Sequence, residues 1–350
     1  MTVITGTAGS DTLIATGDGD RIEALGGDDL VYIGDAVFVE VGPATGNDTI
    51  VYSTSSSATI TYADMALTVF LTVTETGATV EKGGDGTDSI TGFSSGYDVG
   101  LDVVPGSGMF TVNVDNTNLG SLGVSSGSAD DTFSVTNGDL QVNYGAATGG
   151  LYYTSDDGSR LSGTVTGDGI GTDMLSNVSD IQSTDFADTF MGGAGDEGFL
   201  VRGGDDSVYG GTGTDTIRFD TFGTGSVTID LGAGTADGSF QGHEFAKLIY
   251  DLEVIVSSDE DDSVTGSSGS EAVYGEDGND TVRGGDGDDT IYGGIGNDQV
   301  WAGTGDTGND SISGGDGSDT IGGGAGDDLI SFGSNADLGF GGAGFDTLFG

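Results

Sequence analysis

The stretch that decides the fold lies between residues 275 and 331, where a nine-residue pattern repeats. Its copies are GEDGNDTVR (275–283), GGDGDDTIY (284–292), GGIGNDQVW (293–301), GGDGSDTIG (314–322) and GGAGDDLIS (323–331). They share the form Gly-Gly-x-Gly-x-Asp-x-U-x, in which U is a large apolar residue. The first six positions predict a turn, because glycine is costly inside a helix and suits a backbone with positive φ. The last three predict a very short strand with one buried side chain.

Turns and short strands that alternate in this way predict a solenoid, in which two copies of the pattern make one full coil. Copies two apart then stack on the same side and bring their aspartates together. Asp280 should face Asp298, and Asp310 should face Asp328, with a divalent cation between the stacked turns. The predicted core residues are Val282, Ile291, Val300, Ile321 and Ile330.

The pattern resembles the calcium-binding nonapeptide of the RTX (repeats-in-toxin, haemolysin-type) proteins. The resemblance implies an all-β fold of right-handed parallel β-roll (β-solenoid) blocks joined by irregular β-strand spacer segments. It also implies several calcium ions, held by turn carbonyls and by the aspartates at position six. Secretion by a one-step export route, with folding outside the cell, is a further implication.

The same register recurs outside the opening stretch, and its aspartates are the candidate calcium ligands. Ligands that are all oxygen atoms in a flexible turn suit calcium better than magnesium or a soft metal. The alternative is that these residues only cap backbone amides as turn formers. Their fixed spacing from an apolar residue two places on favours calcium. The candidates are Asp11, Asp20, Asp29, Asp188, Asp206, Asp215, Asp262, Asp280, Asp289, Asp298, Asp310, Asp319, Asp328, Asp337 and Asp346.

Several departures from the pattern predict local irregularities. Glu197 stands where an aspartate is expected, which puts that site in doubt. The copy at 302–313 is three residues longer than the nonapeptide. Its turn should therefore bulge at 305–308, while Asp310 remains a ligand and Ile312 a core residue. Gly339 stands at a core position and predicts a weak coil. Trp301 should shield a face of the solenoid.

The pattern divides the chain into five predicted regions. They are a degenerate N-terminal β-roll (1–51), an irregular β region (52–186), a short RTX roll (187–219), a β spacer (220–261) and the main RTX roll (262–350). The second could be solenoid or sandwich. A coarser repeat at 140–193 and 217–266, and more weakly at 58–93, resembles the spacer between roll blocks and could continue the solenoid with longer turns. Because 341–350 looks like another copy, we expect truncation at residue 350.

The composition is strongly acidic, with 58 Asp and Glu against 7 Lys and Arg and a net charge of −51. Self-repulsion should expand the calcium-free chain, and cations should relieve it. A basic patch for nucleic acid or an anionic membrane is not expected. The chain has no cysteine for disulfides or thiolate sites. Residues 1–10 do not look like a classical signal peptide, and no run of eighteen apolar residues predicts a membrane span. We therefore expect an extracellular or cell-surface location from the RTX resemblance alone.

No catalytic constellation stands out, so we predict that the protein is not an enzyme. His243 is the only histidine, and HEFAK (243–247) lacks the second histidine of a zinc protease helix, so a surface loop is expected there. The predicted function is that of a secreted calcium-binding structural or adhesive protein of the S-layer or matrix type. Its candidate partners are calcium ions, further copies of itself and a cell-surface polysaccharide. The alternative is a calcium-dependent folding and secretion module of a larger secreted enzyme or toxin.

Overall fold

In a computed structural model the chain is built from β-strands, with no helix among the residues described. The structure describes residues 3–15, 20–33, 38–42, 47–52, 57–61, 69–74, 77–81, 87–91, 101–104, 109–115, 122–156, 160–220, 223–303 and 308–350. Over these residues it contains no helix long and apolar enough to cross a membrane. The chain divides into two compact units, Met1–Gly149 with Gly158–Gln182, and Gly150–Asp157 with Ser183–Gly350.

Short strands follow one another along the whole described chain. The strands up to residue 182 are β1 (Val3–Thr5), β2 (Thr12–Ala15), β3 (Asp20–Glu23), β4 (Leu30–Ile33), β5 (Phe38–Gly42), β6 (Thr49–Tyr52), β7 (Ser57–Thr61), β8 (Val69–Thr74), β9 (Gly77–Glu81), β10 (Thr87–Thr91), β11 (Leu101–Val104), β12 (Phe110–Asp115), β13 (Leu122–Ser125), β14 (Thr132–Asn137), β15 (Leu140–Asn143), β16 (Leu151–Ser155), β17 (Leu161–Gly167), β18 (Thr172–Val178) and β19 (Asp180–Gln182).

The strands after residue 182 are mostly three residues long, as the nonapeptide predicts. They are β20 (Thr189–Met191), β21 (Gly198–Leu200), β22 (Ser207–Tyr209), β23 (Thr216–Arg218), β24 (Thr228–Asp230), β25 (Thr235–Phe240), β26 (His243–Tyr250), β27 (Val254–Val256), β28 (Ser263–Thr265), β29 (Ala272–Tyr274), β30 (Thr281–Arg283), β31 (Thr290–Ile295), β32 (Gln299–Trp301), β33 (Ser311–Asp316), β34 (Thr320–Ala325), β35 (Leu329–Ser331), β36 (Leu338–Ala343) and β37 (Thr347–Phe349).

The first unit is a parallel β-solenoid. One sheet joins β1, β3, β5, β7, β11, β13, β15 and β19 in that order by parallel pairing. The opposite sheet pairs β2 with β4, β4 with β6, and β12 with β14, again in parallel. β-Sandwiches are built from antiparallel strands. The parallel pairing of β7 with β11 and of β11 with β13 therefore resolves the open alternative for this region in favour of a solenoid.

The second unit repeats this arrangement with the nonapeptide register. Val282 in β30 pairs with Val300 in β32, one coil later, and Val300 pairs with Ile321 in β34. All five predicted core residues are fully buried. Each is the second residue of its strand, and its side chain points inward because alternate residues of a strand face opposite sides. The predicted all-β parallel solenoid and its core are confirmed.

The coarser repeat corresponds to coils that are widened by antiparallel strands. In the second unit β24, β25 and β26 form a meander, because β25 is antiparallel to both neighbours. The solenoid continues around it, since β26 pairs in parallel with the preceding β22 and β24 with the following β28. In the first unit β8, β9 and β10 form a similar meander. His243 is exposed as expected, but it begins β26 and does not lie in a loop.

Two aromatic residues cover glycines near the end of the second unit. Gly339 pairs with Ile321 and contributes no side chain to the core. The Phe332 ring takes that place, since a Cβ added to Gly339 would lie 1.8 Å from Phe332 Cε1. Trp301 likewise covers Gly322, where an added Cβ would lie 2.4 Å from indole Cε3. The core position that Gly339 leaves without a side chain is therefore covered by Phe332, which lies in the connection between β35 and β36.

The three extra residues before Asp310 are absorbed without loss of register. The predicted bulge at 305–308 falls largely on 304–307, which lie outside the described residues. Beyond it, Ile291 pairs with Ile312. Asp310 and Ile312 are both buried, as predicted for residues that keep their roles.

Candidate metal sites

The position-six carboxylates stack into what we call carboxylate ladders, in which each carboxylate accepts a hydrogen bond from the backbone of the preceding coil. Asp280 N–H donates to Asp298 Oδ1 at 2.9 Å, and Asp310 N–H donates to Asp328 Oδ1 at 3.0 Å. The two pairs predicted to face each other therefore do so. In the second unit further bonds between aspartates join Asp188 to Asp206, Asp262 to Asp280, Asp298 to Asp319, Asp319 to Asp337, Asp289 to Asp310, and Asp328 to Asp346.

Glutamates take part in the ladder of this unit that contains Asp215 and Asp289. Glu197 N–H donates to Asp215 Oδ1 at 2.9 Å, and Asp215 N–H donates to Glu253 Oε2 at the same distance. Glu271 N–H donates to Asp289 Oδ1 at 2.9 Å. The longer side chain thus occupies the aspartate position without breaking the ladder.

The first unit carries ladders that the sequence reasoning found only in part. Asp11 N–H donates to Asp29 Oδ1 at 2.8 Å, and Asp29 N–H donates to Asp48 Oδ1 at 3.0 Å. Asp20 is buried at the start of β3, and its register partner is Val39, so no carboxylate follows it in the next coil. Asp48 was missed although Asp-Thr-Ile at 48–50 carries the Asp-x-U signal.

Asp131 and Asp173 form a further ladder pair that was also missed. Asp131 N–H donates to Asp173 Oδ1 at 2.9 Å, and both residues are buried. Each precedes an apolar residue by two positions, Phe133 and Leu175, which is the same signal. It was obscured because 42 residues separate the two aspartates.

The amide-capping role proposed as the alternative is therefore present, but it uses only one carboxylate oxygen. Oδ2 of Asp29, Asp280, Asp298 and Asp319 is buried and accepts no hydrogen bond from the described residues. A buried carboxylate oxygen without a donor is costly. Capping alone does not account for these side chains.

Oxygens from two coils converge on the first glycine of regular repeats, and they approach where any other residue would carry its Cβ. A Cβ added to Gly293 would lie 2.5 Å from Asp298 Oδ2 and 2.4 Å from the Gly314 carbonyl oxygen. One added to Gly275 would lie 2.7 Å from Asp280 Oδ2 and 2.2 Å from the Gly293 carbonyl oxygen. We call these spaces the glycine cradles. Both oxygens beside each glycine are acceptors, and the glycine side supplies no hydrogen-bond donor to them, so their chemistry suits a hard cation.

The cradles draw on backbone oxygens more than on clustered side chains. Within the described ranges, no group of three or more His, Cys, Asp or Glu side chains is placed to hold a metal ion. Calcium accepts backbone carbonyl oxygens together with carboxylates. The ligand atoms of a cradle are one carboxylate oxygen and one carbonyl oxygen from the next coil. Both types of oxygen suit calcium.

Burial makes the ladder carboxylates expensive to ionise in the absence of a cation. Burial raises the pKa of Asp280 to about 8, and the nearby negative charges of Asp262 and Asp298 add to the shift. Burial likewise raises the pKa of Asp298 to about 6, with the Asp319 charge contributing. The ionised form that calcium requires is therefore stabilised when a positive charge is present.

One ladder position is occupied by a lysine. Lys247 is fully buried, and its Nζ donates to Asp206 Oδ2 at 2.5 Å. Burial lowers the pKa of Lys247, and the adjacent Asp206 charge opposes that shift. Sequence reasoning missed this contact because 41 residues separate the two side chains.

The comparisons with known proteins locate the repeats independently. The chain matches the family described as RTX calcium-binding nonapeptide repeat (4 copies) at residues 4–35, 182–217, 253–282, 274–306, 303–330 and 333–350. Every aspartate predicted as a ligand lies in these segments, whereas Lys247 lies outside them. No curated protein matches the chain. The chain therefore carries RTX calcium-binding nonapeptide repeats, folded as a parallel β-solenoid.

Proposed function

We propose that this protein is a secreted structural or adhesive component that folds and assembles outside the cell when it binds several calcium ions. The observation that carries the proposal is the glycine cradle. In successive coils a buried Oδ2 such as that of Asp298 converges with a carbonyl oxygen of the next coil, and no donor lies between them. The matched repeats support calcium as the ion that fits.

The chain's own residues would prepare each site in a defined way. The backbone amide of one coil holds Oδ1 of the next aspartate and so fixes the direction of Oδ2. The first glycine leaves the space open. Bound calcium would supply the positive charge that neutralises the stacked carboxylates. Because the cradle joins two coils and does not exist in the unfolded chain, the binding free energy adds to the free energy of folding.

Acidity supports a link between folding and export. A net charge of −51 opposes compaction of the calcium-free chain. Extracellular modules bind calcium at roughly millimolar concentrations, far above the level in a cytosol. In this proposal the regular calcium-binding turns stay unfolded inside the cell and fold after export. We assign it no catalytic role in this proposal.

Circular dichroism on the full chain tests the coupling. The β signal should be weak in chelator and should rise to saturation as calcium is added. Magnesium at the same concentrations is the matched control and should have a much smaller effect, because it demands tighter octahedral geometry. A β signal that is the same in chelator and in calcium would contradict the proposed coupling of calcium binding to folding.

Electron microscopy tests the structural role separately. Ordered arrays that form with calcium and dissolve in chelator would support a lattice or matrix component. Calcium-folded chains that stay dispersed would favour the alternative, a folding and secretion module of a larger secreted enzyme or toxin.

A further inference from the structure

Lys247 places a buried positive charge on the turn that precedes β22. Its side chain is fully buried. Nζ donates to Asp206 Oδ2 at 2.5 Å, to the Arg202 carbonyl at 2.8 Å and to the Gly204 carbonyl at 3.0 Å. An ammonium group has three N–H donors and no acceptor. The three oxygens therefore use all of its donors.

These three oxygens belong to one copy of the nonapeptide register. With Asp206 at position six, Arg202 is at position two and Gly204 at position four. Position one of this copy is Val201 and not a glycine, so the two carbonyl oxygens come from positions two and four of the same turn. The carboxylate oxygen is the same as in a regular turn, because Nζ binds the position-six Oδ2 that is buried without a donor in Asp280 and Asp298. Lys247 Nζ therefore supplies a positive charge to the oxygen that a cation would bind in a regular turn.

The strand register explains how a lysine reaches this place. Ser207 pairs with Leu248 in the next coil, as Ser263 pairs with Thr281 in a regular coil. Asp280 directly precedes Thr281, and Lys247 directly precedes Leu248. Lys247 thus occupies the position of the next aspartate in the ladder, with the opposite charge.

The surroundings keep the ammonium in place. The Phe245 ring lies beneath it, with Nζ 4.2 Å from the ring centroid, and Phe245 is itself buried. An aromatic face attracts a desolvated cation. Breaking a buried ion pair by removing one partner is strongly destabilising, because the other charge stays buried.

We propose that Lys247 is a built-in cation that occupies the cation site of turn 201–206, so that this turn folds without calcium and binds no calcium ion. The regular turns at 275–301 have no such lysine and depend on calcium. The second unit would then hold a coil that is ordered before calcium arrives. The prediction that regular turns need calcium rests on the proposed function. The prediction that turn 201–206 is folded without calcium does not.

Hydrogen exchange followed by mass spectrometry on the full chain tests this. In chelator, wild-type amides at 202–209 and 246–250 should be protected, whereas those at 279–283 and 297–301 should be protected only in calcium. Lys247→Met keeps the length of the side chain and removes its charge. It should lower the protection of 202–209 in chelator by about 100-fold.

Lys247→Asp restores the aspartate of the ladder and gives the sharper test. It should lose protection at 202–209 in chelator, regain it in calcium, and bind one more calcium ion per chain than wild type in equilibrium dialysis. Arg283→Asp is the control, because it makes the same charge change at an exposed residue outside position six. It should leave the number of bound calcium ions unchanged.

The outcomes separate this proposal from the proposed function. Wild-type 202–209 that is protected only in calcium, a Lys247→Met chain that stays protected in chelator, or a Lys247→Asp chain that gains no calcium would each overturn the role of Lys247. Regular turns whose protection does not depend on calcium would instead overturn the calcium function. Even then, the role of Lys247 could be tested in chelator. Residues 202–209 should be protected in wild type and should lose that protection in Lys247→Met.

Discussion

The backbone N–H of Asp280 donates to Oδ1 of Asp298 at 2.9 Å, while Oδ2 of Asp298 is buried and accepts no hydrogen bond from the described residues. The two oxygens of one carboxylate therefore do different things. One joins neighbouring coils through an amide, and the other points into the glycine cradle of Gly293. Substitutions that change charge but keep shape should separate the two roles.

Asp298→Asn keeps an acceptor for the Asp280 amide and removes the negative charge. In calcium the variant should bind one ion fewer and unfold at a lower temperature. In chelator at about pH 8 it should show a stronger β signal than wild type, because burial raises the pKa of Asp298 to about 6 and folded wild type must hold an ionised buried carboxylate. Thermal unfolding in calcium and circular dichroism in chelator measure this.

Asp298→Ala is the control for that reversal. It removes the acceptor as well, so a hydrogen bond of about 1 kcal/mol is lost in both conditions. If Asp298→Asn destabilises the chain equally with and without calcium, the separation of roles is wrong.

The pH dependence of the calcium-free protein should run in an unusual direction. The folded-state pKa of Asp280 is raised by burial from 3.8 to about 8. A raised pKa means that the folded state binds the proton more tightly, so this stabilisation is complete below about pH 4 and is lost as the pH rises towards 8. In chelator the chain should therefore be folded near pH 4, lose stability as the pH rises, and be unfolded as the pH approaches 8.

Calcium should remove or reverse that trend, because it competes with protons for the same oxygens. Differential scanning calorimetry across this pH range, with calcium and with chelator, provides the comparison. A calcium-free chain that becomes more stable as the pH rises from about 4 to about 8 would contradict the buried, raised-pKa carboxylates.

Gly293→Ala should block one cradle. The added methyl group would lie within 2.5 Å of Asp298 Oδ2 and of the Gly314 carbonyl oxygen. One calcium ion should be lost, and the calcium-dependent gain in unfolding temperature should shrink. Isothermal titration calorimetry gives the number of sites. Gly123→Ala is the matched control, since its added Cβ would meet nothing within 4 Å, and it should bind as many ions as wild type.

Phe332→Ala should destabilise the coil that contains Gly339. The ring fills the space that the glycine leaves. Its loss should therefore lower the local free energy of unfolding by about 2 kcal/mol. Hydrogen exchange at 338–343 reads out the effect. Phe345→Ala is the control, because that ring is 89% exposed and should matter little.

A second substitution sharpens the Phe332 prediction. Gly339→Ala alone should be destabilising, because its Cβ would clash with the ring. Combined with Phe332→Ala it should recover part of the lost protection. Strictly additive effects of the two changes would contradict direct competition for one space.

The repeat predicted the solenoid, the buried Val282, Val300 and Ile321, and the stacking of Asp280 on Asp298. These features depend on short-range spacing alone, because each coil repeats the one before it. Asp131 and Asp173 escaped prediction although each carries the Asp-x-U signal. Asp173 lies in β18, the second strand of the β17–β18 hairpin, and the inserted β17 comes between the two aspartates along the chain, so counting by nine did not connect them.

The sequence by itself determined the all-β parallel architecture, the core and the ladder of regular turns, because nearest-neighbour stacking of identical units leaves one consistent register. Only the tertiary structure decided which residues complete the irregular coils. Lys247 meets Asp206 because the β24–β26 meander returns the chain to β22 at that register. Phe332 covers Gly339 because the space beside it is open. Both contacts depend on how loops of particular length close, and that information is absent from the periodicity of the sequence.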